Sequence, residues 1–114
     1  MKSDNELTKL IAEKVMGWEL GQGPWYTRQG EPMFVVNAFR PLVNDSPAFM
    51  VVDKMIEDGF TFSLISSGYA SKSWNATFYG VDEYSEQLVY DATHESRRRA
   101  ICLAALRAVG EVVE

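Results

Sequence analysis

Apolar residues recur along this chain with two different periods, and the switches between them predict its elements. Between Ser3 and Met16, the residues Leu7, Leu10, Ile11, Val15 and Met16 fall three or four apart on one helical stripe. Ser3 or Asp4 is placed to cap that helix, and Gly17 to stop it. Leu20-Gly21-Gln22-Gly23-Pro24 reads as a turn. Trp25-Tyr26-Thr27 and Met33-Phe34-Val35-Val36, aromatic and β-branched on either side of Gln29-Gly30-Glu31, read as a hairpin. The period returns to helical at Ser46-Pro47, a hydroxyl cap followed by proline at the first helical position. Ala48, Val51, Val52, Met55 and Ile56 then form an apolar face opposite Asp53, Lys54, Glu57 and Asp58, ending at Gly59.

Alternation resumes in Phe60, Phe62 and Leu64 and again in Trp74, Ala76 and Phe78, the period of strands with one buried face. Ser66-Ser67-Gly68-Tyr69 links them as a second hairpin. After the acidic stretch Asp82-Glu83-Tyr84-Ser85-Glu86, Thr93 is positioned to cap a last helix whose apolar residues nearly surround its axis beyond Arg99. Such a helix must be covered on more than one side. The order α-β-β-α-β-β-α predicts an α+β fold, one antiparallel sheet of about four strands sandwiched by helices. With no linker or low-complexity tract, residues 1–114 read as a single domain.

Composition sharpens this picture mainly by exclusion. The net charge of -5 opposes generic attraction to a phosphate backbone, so nucleic acid is not an expected partner. The longest apolar run, Ala100 to Leu106, is far short of the ~20 residues that cross a bilayer, and Met1 to Glu6 has no apolar signal region. The lone Cys102 sits within Ala100-Ile101-Cys102-Leu103-Ala104-Ala105 as a small core residue, a usage that fits a reducing cytoplasm.

Candidate chemistry is sparse. His94-Glu95 lacks the second histidine of a zinc-protease helix, since Arg98 stands one turn later. Asp82, Glu83 and Glu86 offer oxygen ligands to a hard cation but match no calcium loop; an exposed acidic turn is the simpler reading. No metal or other cofactor is expected. Cys102 lies in an apolar helix where desolvation suppresses the thiolate, and Gly21-Gln22-Gly23 lacks the rest of a dinucleotide loop. Arg97-Arg98-Arg99 is the unusual feature in an acidic chain. It opens a helix whose free amides also favour anions, although pairing with Glu95, Asp91 or the acidic turn would account for it. Trp25, Tyr26, Tyr69 and Trp74 are aromatic surfaces on which a base could stack, or ordinary core.

Glu13-Lys14-Val15-Met16-Gly17-Trp18, then Trp25-Tyr26, Phe60-Thr61-Phe62-Ser63-Leu64 and the closing Ala100 to Gly110 resemble the phage ABA sandwich domain family, over roughly Asn5 to Gly110. That resemblance implies a sheet sandwiched between helices and an origin in phages or prophages of Gram-positive bacteria, hence the cytoplasm of a host cell. It implies no settled activity and no catalytic set. Leu88 to Glu95 departs most from the family pattern. Small phage proteins that sequester signalling nucleotides, such as the anti-Thoeris sponges, are similar to this domain.

Three readings of function follow. The first is a non-enzymatic phage accessory protein that binds a protein or small-molecule ligand, since a well-patterned domain shows no catalytic constellation. The second is a nucleotide-binding sponge that counters host immune signalling, with Arg97, Arg98, Trp25 and Trp74 as its ligand-binding residues. The third is a divalent-metal-dependent enzyme using the acidic turn at 82–86. A homodimer is expected where strand edges or apolar helix surface need cover.

Overall fold

The computed structural model describes residues 2–20, 25–28, 31–35, 38–66 and 72–111. The chain runs α1 (Asp4–Leu10), a π-helical segment (Ile11–Val15), β1 (Glu19–Leu20), β2 (Trp25–Arg28), β3 (Glu31–Val35), α2 (Asp45–Glu57), β4 (Thr61–Ser66), β5 (Trp74–Val81), β6 (Gln87–His94) and α3 (Arg97–Ala108).

The α+β class is as expected, but the strands are divided differently. In place of one sheet of about four strands, the described residues form two antiparallel three-stranded sheets, ordered β1-β2-β3 and β4-β5-β6. The added strand β6 occupies the stretch read as the approach to the last helix. Its burial follows strand alternation, but with Asp91, Thr93 and His94 among its residues the apolar signal is weak. It pairs with β5 along eight positions, from Trp74 opposite His94 to Val81 opposite Gln87. Thr93 therefore lies in a strand, and the cap of α3 is Ser96, whose hydroxyl accepts the Arg99 amide at 3.4 Å.

Other boundaries shift for local reasons. Ser3 caps α1 by accepting the Glu6 amide at 3.2 Å, but the first helix widens into π geometry before Gly17, at φ 72°, ends it. The Met16 amide reaches back to the Ile11 carbonyl at 3.0 Å, the i to i+5 bond that defines that geometry. α2 begins at Asp45 with Asn44 as its flanking residue, so Ser46 is not the cap. Along α2, Ala48, Val51, Val52 and Met55 are buried as the pattern requires, whereas Ile56 is 52% exposed. The β2–β3 hairpin forms with a register shift between Tyr26 and Thr27. The turns read at 21–24 and 67–69, with Val36 and Tyr69, lie outside the described residues.

α3 is the centre of the molecule. Ala100, Ile101, Cys102, Ala104, Ala105 and Leu106 have no exposed surface, because β5, β6, α2 and the π-helical segment pack around them. Burying a side chain such as Ile101 or Leu106 is worth about 1.5–3 kcal/mol each, so this helix supplies much of the driving force for the core. Ala76, Phe78 and Ala92 meet it from the sheet, and Phe60, Phe62 and Leu64 lean on the same cluster. On the opposite sheet face Ile65, Val89 and Asp91 are exposed on the outer strands, while Thr77 on the central strand is buried. The β1–β3 sheet joins the core through Tyr26, whose ring lies 5.9 Å from Trp18 and 6.1 Å from Phe39; Trp18 and Phe39 meet nearly edge to face at 4.9 Å.

Candidate functional site

The arginine run opens α3 at the corner where the first turns of α1 and α2 also lie. Arg97 donates to Asp45 from Nε at 3.1 Å and from Nη2 at 2.7 Å. Arg98 Nε lies 2.9 Å from the same Asp45 Oδ1, an ion pair whose N–H direction misses the oxygen, leaving that buried donor without an acceptor among the described residues. Arg99 Nη2 donates to both carboxylate oxygens of Asp4, at 2.6 and 2.5 Å. The partners are thus the acidic residues that begin the other two helices, not Glu95, Asp91 or the acidic turn. Hydrogen bonding from Arg97, aided by the charges of Arg97 and Arg98, holds the Asp45 carboxyl below its ordinary range against a smaller opposing effect of desolvation, and Asp45 in turn raises Arg97.

Trp74 joins this corner from the start of β5. The Arg97 guanidinium carbon sits 5.8 Å from its ring centroid, within the range of a cation–π contact. Three of the four residues singled out from the sequence, Arg97, Arg98 and Trp74, are therefore brought together. The fourth, Trp25, belongs to β2 in the other sheet, and its side chain lies outside what the structure describes.

The acidic stretch forms the turn between β5 and β6. One oxygen of Asp82, Oδ1, accepts the amides of Tyr84 and Glu86, both at 2.9 Å, and Ser85 takes a left-handed backbone at φ 65°. Its carboxylate is used to hold the turn. Among the described residues no group of three or more His, Cys, Asp or Glu side chains is arranged to hold a metal ion. His94 ends β6, where its Nδ1 accepts the Ser96 amide at 2.9 Å. Cys102 is sealed in the core, and desolvation pushes its thiol pKa far up despite the nearby Arg99 charge.

A concave site that sequence reading missed adjoins the arginine corner through Asp4. A cavity of about 530 Å³ is lined by α1 residues including Asp4 and Lys9, by Leu20 and Tyr26 of the small sheet, and by the segment Phe39-Arg40 with Leu42 and Val43. Tyr26, Phe39 and Leu42 are buried and supply apolar walls, while Lys9 and Arg40 are exposed. Asp4 is engaged by Arg99, and the cations of the lining are Arg40 and Lys9, the latter in a loose 4.0 Å ion pair with Glu13. Burial first, and then the charge of Glu13, raise the Tyr26 pKa, so its hydroxyl stays protonated. The lining comes from segments up to 39 positions apart (Asp4 to Val43), a convergence that no local motif announces.

Among the described residues no helix is long and apolar enough to cross a membrane. The family model of the phage ABA sandwich domain matches residues 9–106, which takes in most of the lining of this cavity and all of the arginine corner except Asp4. No curated protein and no solved structure matches the chain.

Proposed function

This chain belongs to the phage ABA sandwich domain family, and from that premise we propose that it is a phage accessory protein that acts by binding, taking a small anionic ligand with an apolar body into the cavity beside α1 and leaving it chemically unchanged. The observation that carries this reading is the combination of buried Tyr26, Phe39 and Leu42 with exposed Lys9 and Arg40 around one concave space. Apolar walls with a few converging polar groups are the usual make-up of a small-molecule site. The walls receive the body of the ligand and the two cations its charge. A panel of aromatic carboxylates and phosphates, screened by thermal shift and followed by calorimetry, tests it. At least one member should raise the melting temperature, Lys9→Glu with Arg40→Glu should abolish the effect, and mass spectrometry should recover the ligand unaltered. A panel without a binder, or a ligand recovered as product, would overturn the reading.

A second reading, a nucleotide-binding sponge, is supported by the placement of Arg97 over Trp74 with Arg98 alongside. Those groups match a phosphate and a base, but Asp45 already holds both arginines, so a ligand must share or displace that carboxylate. Thermal shifts with cyclic nucleotides and cyclic ADP-ribose isomers, lost in Trp74→Ala and Arg97→Ala, are its expected signature. Absence of any shift at saturating ligand ends it.

A further inference from the structure

The two edges of the β4-β5-β6 sheet are built differently. On the β6 edge, the strand carries Asp91 and His94, and the Arg107 guanidinium of α3 donates to the Asp91 carbonyl. Charge and a side-chain donor of this kind discourage a further strand from adding. Thr61 to Ile65 on the β4 edge have neither among the described residues. The strand's sequence, Thr-Phe-Ser-Leu-Ile-Ser, contains no charge and no proline, and it pairs with β5 in unbroken register from Thr61 opposite Tyr79 to Ser66 opposite Trp74.

Among the described residues no strand pairs with β4 on its other side. An antiparallel strand directs about half of its backbone donors and acceptors to each neighbour, so Thr61 to Ile65 present a row of them on the side away from β5. Exposed apolar surface adjoins this edge: Ile65 is 59% exposed on the strand, and Ile56 is exposed on α2, which packs against β4.

We infer that β4 pairs antiparallel with β4 of a second copy of this chain, joining two three-stranded sheets into one of six strands. The strand is complementary to itself. With the two-fold axis at Ser63, the outer face sets Thr61 opposite the partner's Ile65 and the inner face sets Phe62 opposite the partner's Leu64. Ser63 meets its own copy, a small side chain where the two backbones approach. The paired strands themselves carry no charge, so none opposes another between the two backbones.

Sedimentation of the full chain from micromolar to sub-millimolar concentration tests the inference. Wild type should sediment as a dimer of the 12.9 kDa chain. Thr61→Lys with Ile65→Lys, both at exposed outer-face positions, should give a monomer with an unchanged circular dichroism spectrum. Val89→Lys, on the same face but on β6, should leave the dimer intact. A wild type monomeric throughout, a dimer that survives the double lysine variant, or dissociation by Val89→Lys to the same degree would overturn it, the last by placing the contact on the sheet face.

Discussion

Arg97 grips Asp45 through two parallel hydrogen bonds, Nε to Oδ1 at 3.1 Å and Nη2 to Oδ2 at 2.7 Å, tying the first turn of α3 to the first turn of α2. Each partner stands at a helix start, where the carboxylate suits the positive end of the dipole and the guanidinium does not. The pair lets the acid of one helix offset the unfavourable placement of the base on the other.

This pairing predicts a pH dependence with a definite sign. The folded-state pKa of Asp45 lies below its ordinary value of 3.8, chiefly through the Arg97 hydrogen bond. Its contribution is therefore present above that ordinary value and is lost as pH falls through the lower folded value. Thermal melts should show wild type losing more stability than Asp45→Asn on acidification below about pH 4, with the two converging in strong acid. Parallel curves would remove Asp45 as the source.

Capping offers a test of where α3 begins. Ser96→Ala should cost about 1 kcal/mol in denaturant melts, the usual loss for a helix cap. Thr93→Ala should cost less, because Thr93 only accepts an exposed hydrogen bond from Asn75 at 3.0 Å. A reversed order would restore the sequence-based start of the helix.

Cys102 should be inert in the folded protein. With its side chain buried and its thiol pKa pushed far up by desolvation, it should react with a thiol-specific disulfide reagent only under denaturing conditions. Cys102→Ser should destabilise by about 1–3 kcal/mol, since a hydroxyl at a fully buried apolar site gains little to bond with.

Gly80 marks a close approach within the sheet. A Cβ built there would lie 3.0 Å from Cε1 of Phe60, too near for an undisturbed ring. Gly80→Ala should displace the half-buried Phe60 ring, visible as a shift of its aromatic proton resonances, and lower stability by about 1 kcal/mol. Gly80→Val should cost more.

The sequence by itself determined the elements with strong periodicity and the way each buries its apolar face. Leu7, Ile11 and Val15, the Ala48 to Met55 face of α2, and the all-round apolar Ala100 to Leu106, apart from half-buried Leu103, are buried as their spacing requires, because local side-chain direction follows from helix and strand geometry alone. The family was legible for the same reason, as its most recognisable residues are core and turn positions. What only the tertiary structure decided is which distant groups meet. The Asp45 and Asp4 partners of the arginines, the membership of β6 in a sheet, and the cavity joining Lys9, Tyr26 and Arg40 depend on how whole elements dock. Polar side chains carry no period that encodes a partner tens of residues away, so their pairing is fixed only when the apolar core has set the elements in place.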